Sequence, residues 1–452
     1  MPQPMTYDEA LAALKRATVF GINPSLEGVT ELVEALHRPQ DTFASVQITG
    51  TNGKTSTARI TAALLASEGR LTGLYTSPEL ERYPERIEIG GQVASDADFA
   101  AAVGAAVSAA EIIRGEGAIG TPAGFTEFEL LTAAALWLFR ERGVEVAVLE
   151  VGLGGRWDAT SVVSPSVAVI TGVGLDHTGI LGGTLEEIAA DKAAIIRPAS
   201  TPVLGPGTDG LDSIFLRRAD EAGTHARAVR EGLDFSPVAE DLTVRFRIAE
   251  RPSAPGGVTI VDVDGVHARY EALAIVAPSY QAANVATAIA AAEAALGRAL
   301  DGDRARAALA AVAIPGRFEL MRAQPVVVVD GSHNPQAAAV LADAIREAFP
   351  DAGARPTLLL GVLADKDARG IVAALAPVAA ELVVTQPRSP RALPVGDLAA
   401  IVADVGGSSV PSQYASVAQA LEALLPSTPG GLVVTGSLTT AGEARGLLRD
   451  GS

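Results

Sequence analysis

The chain has 452 residues, and its 35 lysines and arginines against 53 aspartates and glutamates give a net charge of −18. Hydrophobic residues make up 48% and charged residues 19%, which excludes a chain that is disordered as a whole, and the length favours two or three domains. The acidic balance argues against a binder of nucleic acid or anionic membranes, and the absence of cysteine excludes disulfides, thiolate metal sites and cysteine nucleophiles.

No export or membrane signal is visible in the sequence. Residues 1–17 include acidic side chains and no apolar core, so they do not have the pattern of a signal peptide. The apolar run Leu130–Phe139 is too short to cross a bilayer, which takes about 20 residues. The uncharged stretch Ala272–Ala292 contains Pro278, and we interpret it as a loop followed by a buried helix. We therefore expect a cytoplasmic protein without a membrane segment.

A short β-branched run, a glycine-rich turn and a helix rich in alanine recur along the first two thirds of the chain. The pattern predicts strands at Phe43–Ile48, Val144–Val151 and Val167–Thr171, and helices at Lys54–Ser67, Leu185–Ile196 and Tyr280–Leu296. This alternation is typical of a mostly parallel sheet with helices on both faces. The segment Leu242–Tyr270 differs, because its short alternating runs, broken by proline and glycine, predict an antiparallel hairpin.

The alternation restarts after Pro315-Gly316 and predicts a second, smaller α/β domain. Its predicted strands are Val326–Asp330, Thr357–Val362, Glu381–Thr385 and Leu432–Gly436. We place the boundary near residue 312, so that the first domain spans residues 1–312 and the second spans residues 313–452.

A phosphate-binding loop is predicted between the first strand and the first long helix of this pattern. Gly50 and Gly53 permit the tight turn and close backbone approach that phosphate needs, and the following helix directs free N–H groups at the anion. Lys54 adds a positive charge for the β- and γ-phosphates, and nearby hydroxyls can reach Mg²⁺. The predicted nucleotide-binding residues of the loop are Gly50, Thr51, Asn52, Gly53, Lys54, Thr55 and Ser56. The alternative is an ordinary glycine-rich turn between a strand and a helix.

Three polar residues follow predicted strands and point to a ligand crevice. Glu150 closes an apolar strand, and a carboxylate at the carboxyl end of a parallel strand suits Mg²⁺, which prefers oxygen ligands. His177 follows another strand through a glycine-rich turn, although a single histidine can equally be structural. Asp330 ends a strand of the second predicted domain, and its alternative role, like that of Asn334, is to cap a helix.

The motifs together resemble those of the Mur ligase superfamily, and within it the branch of folylpolyglutamate synthases and dihydrofolate synthases. They are G-T-N-G-K-T-S at 50–56, T-S-P at 76–78, E-R-I at 85–87, F-E at 128–129, E-V-G-L-G-G-R-W-D-A at 150–159, G-L-D-H at 174–177, P-G-R at 315–317 and D-G-S-H-N-P at 330–335. Their order is that of the family and covers both predicted domains. Glu79, where the branch usually has histidine, and Thr55, where it often has glycine, depart from the pattern.

The resemblance implies roles for individual residues. Residues implied to hold magnesium, as two ions, are Ser77, Glu150, His177 and a carbamylated Lys192. Residues implied to contact ATP from outside the phosphate loop are Asn284, Arg317 and Asp330, with His333 nearby. Residues implied to contact the pterin-bearing substrate are Thr126, Phe128 and Asp158. The candidate catalytic residues are Lys54, Lys192 and His333. From the residues alone, Lys192 could be a solvated helix charge, Arg317 a linker charge and Phe128 part of the core.

The resemblance also implies a fold and an activity. The fold is a doubly wound, mostly parallel P-loop domain followed by a smaller C-terminal α/β domain. The activity is the ATP-dependent addition of L-glutamate to dihydropteroate or reduced folates through an acyl phosphate, by a monomer that binds neither nucleic acid nor membranes. One alternative is another Mur-type amino-acid ligase acting on a cell-wall precursor. A second is a P-loop regulatory ATPase, which would have no use for the arginine and aspartate motifs of the second domain.

Overall fold

A computed structural model describes residues 5–17, 24–115, 124–232, 243–351, 353, 355–406 and 411–450. The strands are β1 (Ala44–Thr49), β2 (Thr72–Tyr75), β3 (Ile87–Ile89), β4 (Gln92–Val93), β5 (Val146–Glu150), β6 (Val167–Gly172), β7 (Thr201–Gly207), β8 (Arg227–Glu231), β9 (Thr243–Glu250), β10 (Val258–Asp264), β11 (Arg269–Val276), β12 (Glu319–Ala323), β13 (Val326–Val329), β14 (Thr357–Leu360), β15 (Glu381–Thr385), β16 (Gln413–Tyr414) and β17 (Leu432–Thr435).

The helices alternate with these strands through most of the chain. They are α1 (Tyr7–Ala17), α2 (Glu27–Ala35), α3 (Lys54–Ser67), α4 (Asp96–Arg114), α5 (Glu127–Glu141), α6 (Thr178–Leu181), α7 (Leu185–Lys192), α8 (Asp212–Glu221), α9 (Gln281–Leu296), α10 (Gly302–Ala311), α11 (Pro335–Ala348), α12 (Ala368–Leu375), α13 (Val395–Gly406), α14 (Val417–Leu424) and α15 (Leu438–Asp450). None of the helices in the described part of the chain is long and apolar enough to cross a membrane.

In the described part of the chain, the first sheet has eleven strands in the order β11-β10-β9-β8-β7-β6-β1-β5-β2-β3-β4. Its central strands, from β9 to β2 in this spatial order, pair in parallel, and the pairs β9–β10–β11 and β2–β3–β4 at the two edges are antiparallel. A sheet whose parallel centre is buried on both sides is expected to read as continuous apolar runs. The parallel pairing of the central strands confirms the prediction of a mostly parallel sheet.

Helices cover both faces of the first sheet, as the alternating side chains of β5 show. Ala147 and Leu149 belong to the apolar core that α1, α2, α4 and α5 close. Val146 and Val148 point the other way, into a core shared with α3, α9 and α10. The predicted doubly wound architecture is therefore confirmed.

The second sheet has six strands in the order β12-β13-β17-β14-β15-β16, and all its neighbours pair in parallel except β12 with β13. Val328 packs in a core with α11, α12 and α13, whereas Val327 and Val329 pack in a core with α14 and α15. The smaller C-terminal α/β part is thus confirmed. The predicted boundary at residue 312 falls between α10 and β12, and the division into domains at that point stays a prediction.

Two predicted elements need correction. Residues Ala272–Val276, interpreted as a loop, are the second half of β11, which pairs with β10, and the loop before α9 begins only at Ala277. The helix predicted over Leu185–Ile196 ends at Lys192 and continues as a 3₁₀ turn, Ala193–Ile195. The predicted hairpin region is antiparallel, as β9 to β11, although its first residue, 242, lies outside the described residues.

Candidate active site

The site forms where β1 and β5 end side by side, because Ile48 lies opposite Glu150 in their parallel register. Ligands of open α/β sheets bind at such carboxyl ends. A cavity of about 710 Å³ opens here. The first domain lines it with Lys54, Glu150 and Lys192, among others, and the second with residues that include Arg317 and Asp330.

The phosphate loop has the backbone that its glycines predict. Gly53 has φ +83°, and a methyl group there would lie 2.7 Å from Oδ1 of Asn284. Helix α3 begins at the next residue. The Lys54 ammonium donates to the carbonyl oxygens of Gly50 (2.9 Å) and Thr51 (3.1 Å), and burial lowers its pKa, an effect that the Glu150 carboxylate opposes. The loop is thus arranged to bind an anion, and the desolvated cation within it is the Lys54 ammonium.

Glu150 lies between the phosphate loop and the segment of Ser77. Its side chain is buried, with 1% of its surface exposed. Oε1 accepts a hydrogen bond from the Thr55 hydroxyl (2.8 Å), and Oε2 accepts one from the backbone N–H of Ser77 (3.2 Å). Burial raises the pKa of the Glu150 carboxyl, while the charge of Lys54 and the Thr55 hydrogen bond act against it. The structure therefore brings together three of the predicted nucleotide and metal residues.

The donor set fits a hard cation such as Mg²⁺. A hydroxyl and a buried carboxylate from the protein suit an ion that keeps phosphate oxygens and waters as its other ligands. His177 lines the same cavity, directly before α6, with a backbone φ of +51°. Within the described ranges no group of three or more His, Cys, Asp or Glu side chains could hold a metal ion by itself. An ion bound here would therefore depend on the nucleotide for part of its coordination.

Lys192 reaches the cavity from the last turn of α7. Only 3% of its surface is exposed, so it is not the solvated helix charge that the sequence left open. Burial, followed by the positive charge of Lys54, lowers the pKa of Lys192 to about 7. About half of the amine is therefore neutral at neutral pH.

In the second domain, Asp330 accepts a hydrogen bond from the linker, residues 312–318 between α10 and β12, and does not cap a helix. Its Oδ2 accepts from the N–H of Phe318 (2.8 Å), and its Oδ1 accepts from the N–H (2.8 Å) and hydroxyl (2.5 Å) of Ser332. Asn334 is the residue that caps α11, through the N–H of Ala337 (2.8 Å). Arg317 donates to the carbonyl oxygen of the preceding residue at 3.1 Å and lines the cavity.

The surroundings of His333 favour its neutral form. Its Nδ1 lies 2.9 Å from the carbonyl oxygen of Gly331, so Nδ1 carries the proton and Nε2 can only accept. Burial lowers the pKa of His333 to about 4. At neutral pH it therefore offers a hydrogen-bond acceptor to the cavity and no positive charge.

The sequence reasoning missed an ion pair that joins the two domains at the cavity wall. Nζ of Lys366 lies 2.9 Å from Oδ1 of Asp176, and Nδ2 of Asn334 lies 3.2 Å both from Oδ2 of Asp176 and from Oδ1 of Asn52. Burial alone would raise the pKa of Asp176, but the Lys366 hydrogen bond and the nearby charges hold it at about 2. Lys366 follows β14, and a cation after the carboxyl end of a parallel strand was the available signal.

The three predicted substrate residues lie behind the cavity wall and not in it. Thr126 caps α5 in a reciprocal pair with Glu129. Asp158 accepts from the N–H of Leu153 (2.9 Å) and from the N–H (3.0 Å) and hydroxyl (2.5 Å) of Thr160. In this structure both polar side chains are therefore engaged in local structure.

Gly152 links this group to the cavity that it lines. A methyl group on Gly152 would lie 2.7 Å from Cζ of Phe128 and 3.2 Å from Oδ2 of Asp158. Phe128 also packs against Tyr75, with ring centroids 6.0 Å apart. The substrate residues thus adjoin the cavity through one glycine, and their role stays a prediction.

Two family models match the chain. The Mur ligase middle domain matches residues 48–292, and the Mur ligase glutamate ligase domain matches residues 316–438. The dihydrofolate synthase/folylpolyglutamate synthase of Mycobacterium tuberculosis is 37% identical over 459 residues, which cover 94% of this chain and 90% of that protein.

Solved structures give the same likeness. The folylpolyglutamate synthase of Mycobacterium tuberculosis complexed with ADP and AMPPCP superposes with a TM-score of 0.86 at 35% identity, covering 97% of this chain and 99% of that one. A bifunctional folylpolyglutamate synthase/dihydrofolate synthase with Mn, AMPPNP and L-glutamate bound superposes with a TM-score of 0.80 at 27% identity, covering 99% of this chain and 100% of that one.

Proposed function

The chain belongs to the Mur ligase family, in its folylpolyglutamate synthase/dihydrofolate synthase branch, and is an ATP-dependent glutamate ligase acting on folates; we propose that its chemistry takes place in the cavity between the two sheets. The observation that carries this proposal is the convergence of Lys54, Glu150 and Arg317, from distant parts of the chain, on one cavity of about 710 Å³.

In this proposal ATP places its phosphates on residues 50–56. The free N–H groups at the start of α3 and the Lys54 ammonium bind the β- and γ-phosphates, and Arg317 approaches from the second domain. Asn284 and Asp330 contact the nucleoside side. The folate carboxylate attacks the γ-phosphorus, ADP leaves, and an acyl phosphate forms. The protein contributes positioning and charge neutralisation, and closure of the two domains over the substrates would exclude water that hydrolyses the acyl phosphate.

Magnesium would be held by Ser77, Glu150, His177 and the phosphates, as two ions. When bound, it supplies positive charge to the phosphoryl oxygens that become more negative during transfer. The hydrogen bond between the Thr55 hydroxyl and Glu150 supports this assignment, because it places a hydroxyl and a carboxylate at one point of the phosphate loop.

We also propose that Lys192 is carbamylated. The neutral amine adds to carbon dioxide, forms an N–C bond and releases one proton, which leaves a carboxylate beside the metal residues. A pKa of about 7 supports this, because the ordinary lysine ammonium has almost no neutral amine at neutral pH. Intact-protein mass spectrometry under ¹³CO₂ should detect the adduct, and K192A should lack it.

For L-glutamate, we propose that the second domain supplies the carboxylate-binding cations. Lys366 and Arg391 both line the cavity, and each is paired with an aspartate, Asp176 (2.9 Å) and Asp365 (2.7 Å) respectively. An amino acid with two carboxylates and one ammonium group matches two cations and an exchangeable aspartate. The glutamate amine then attacks the acyl carbonyl, and phosphate leaves. His333, neutral and accepting at Nε2, positions the nucleotide, because such a nitrogen can accept from a hydroxyl or amino group but not from an ionised phosphate oxygen.

The pterin ring is assigned to the region behind Gly152, with Thr126, Phe128 and Asp158. The contact of Phe128 and Asp158 with this wall glycine supports the assignment. A monomeric state and a cytoplasmic location stay predictions from the sequence.

The test of the function is phosphate release with dihydropteroate or tetrahydrofolate, each with and without L-glutamate. Sustained turnover should need ATP, the folate and glutamate together. Turnover with a muramyl nucleotide in place of the folate would instead favour a cell-wall ligase, and ATP hydrolysis independent of any amino acid would favour a regulatory ATPase.

A further inference from the structure

The loop Thr76–Arg86 is held between the two domains, and its contacts with the second domain have no role in the function described so far. The loop carries Ser77, whose N–H donates to Oε2 of Glu150 at 3.2 Å. Inside the loop, Oε2 of Glu85 accepts from the N–H groups of Leu80 and Glu81, both at 3.1 Å. The loop therefore has hydrogen bonds of its own. We expect a displacement of Leu80 or Glu81 to shift the preceding residues, which include Ser77.

Helix α15 of the second domain meets this loop at a glycine. A methyl group on Gly442 would lie 2.0 Å from the carbonyl oxygen of Leu80 and 2.8 Å from its carbonyl carbon. Both atoms are backbone, so a rotamer change cannot relieve such a clash. The Leu80 side chain in turn packs on the linker, where a methyl group on Gly316 would lie 2.9 Å from both of its δ carbons. The helix can approach the loop this closely only because residue 442 has no side chain.

One turn further along α15, Arg445 joins the loop to the linker. Its Nη1 donates to Oε1 of Glu81, and its Nε lies 3.0 Å and 2.9 Å from the two carboxylate oxygens of Glu319. Oε2 of Glu319 also accepts from the N–H of Gly316 at 2.8 Å, next to Arg317. The Arg445 guanidinium therefore contacts both the loop that carries Ser77 and the linker that carries Arg317, and Arg449 of the same helix lies 3.7 Å from the same Glu81 oxygen.

We infer that α15 is the docking face for the Thr76–Arg86 loop, and that Gly442 and Arg445 are positioning residues that align Ser77 and Arg317 when the two domains come together. This inference rests on the proposed function for its catalytic consequence. The geometry alone carries the docking contact, since neither residue touches the predicted nucleotide, metal or substrate groups.

The first experiment compares Gly442→Ala with Gly446→Ala. Both replace a glycine of the same helix, so both gain the same helix propensity. A methyl group on Gly446 would meet the side chain of Glu81, with Oε2 at 3.5 Å and Cδ at 3.8 Å, and both distances are ordinary contacts. We expect Gly442→Ala to lower kcat at least about tenfold, with the Kd for ADP within about twofold of the parent because the phosphate loop is untouched. Gly446→Ala should leave both unchanged. A folded Gly442→Ala enzyme with the parental kcat would overturn the inference.

Hydrogen exchange of residues 76–86, measured in the same variants without substrate, separates this inference from the proposed function. Faster exchange in Gly442→Ala than in Gly446→Ala supports the docking contact even if the parent protein shows no glutamate-dependent turnover. Equal exchange in both variants refutes the contact whatever the activity.

A double-mutant cycle of Glu81→Gln and Arg445→Gln tests the ionic part, and serves also if Gly442→Ala does not fold. Both single variants should lower kcat, and the double variant should lower it by less than the product of the two single effects, because the residues share one contact while Arg445 also binds Glu319 and Glu81 also lies near Arg449. Effects on kcat that simply multiply would show that the residues act independently, which contradicts a docking role for their pair.

Discussion

Replacing Asp176 by asparagine tests the ion pair that joins the two domains at the cavity. The pKa of this carboxyl lies at about 2 against an ordinary 3.8, with the hydrogen bond and charge of Lys366 among the causes. One pKa unit corresponds to about 1.4 kcal/mol. The charged carboxylate is therefore favoured over the neutral acid by about 2 kcal/mol in the folded protein relative to the unfolded one. The side chain is 14% exposed, so solvent screens the pair only weakly.

Asparagine resembles the protonated acid, so Asp176→Asn should lower the free energy of unfolding by about 2 kcal/mol at neutral pH. Because the folded-state pKa is lowered, the stabilising effect is complete above the unfolded-state pKa and is lost as the pH falls through the folded-state pKa. The difference between parent and variant should therefore persist from about pH 8 to about pH 5 and shrink below about pH 4.

Urea unfolding followed by circular dichroism, without metal or nucleotide, measures this difference. Asp343→Asn is the matched control, because it removes the same charge from an exposed pair with Arg346, where the aspartate side chain is 75% exposed. An exposed pair one helical turn apart contributes little, so this variant should unfold with the parent. Equal midpoints for the two variants, or a difference that already vanishes near pH 6, would refute the reasoning about Asp176.

Three further predictions concern the phosphate loop and the metal residues. Lys54→Met should weaken ADP binding about 10- to 100-fold in calorimetry, since a charge-assisted contact is lost, whereas Lys15→Met on the exposed face of α1 should not. Gly53→Ala should weaken ADP binding at least about tenfold, because its methyl group would lie 2.7 Å from Oδ1 of Asn284. Gly69 has nearly the same φ, +84° against +83°, but no atom lies within 4 Å of the added methyl group, so Gly69→Ala should change only stability. Glu150→Gln should reduce Mg²⁺-dependent turnover about 100-fold or more and keep metal-free ADP binding; full activity would remove Glu150 from the metal site.

The fold was predictable where local signals were strong. Helix α3 begins and ends where the sequence places it, because a left-handed glycine precedes it and alanine and leucine dominate its second half. Strand β15 also has its predicted bounds, Glu381–Thr385. The error at Ala272–Val276 has a physical cause: only some of its residues are buried, so the strand pattern is weak beside the nearby proline.

The candidate site was predictable where its residues follow strand ends, and was missed where it depends on how the domains meet. Glu150 and Lys54 follow from the β1–α3 and β5 patterns, and they share one cavity. The pair of Asp176 and Lys366 joins residues 190 positions apart, and that of Glu81 and Arg445 joins residues 364 positions apart. The hydrophobic pattern within one domain carries no information about contacts between residues so far apart in the chain. Only the packing of two sheets against a common cavity brings these charges together.

The charged groups that shift the pKa values of Lys192 and Asp176 differ in the domain to which they belong. The charges that act on Lys192 come from Lys54, Asp191, Asp176 and Asp158, all in the first domain. The low pKa of Asp176, by contrast, needs Lys366 of the second domain.

The charges of the first domain thus act on Lys192, whereas Lys54 also feels Arg317 of the second domain, and burial is the largest cause of the lowered pKa of both lysines. The cations proposed for glutamate belong to the second domain, and in this structure Asp176 of the first domain is paired with one of them, Lys366. An amino acid that replaces this ion pair must recover the interaction it breaks, so only a ligand with both carboxylate and ammonium groups exchanges at low cost. In the proposed function, selection of the amino acid therefore depends on the contact between the two domains.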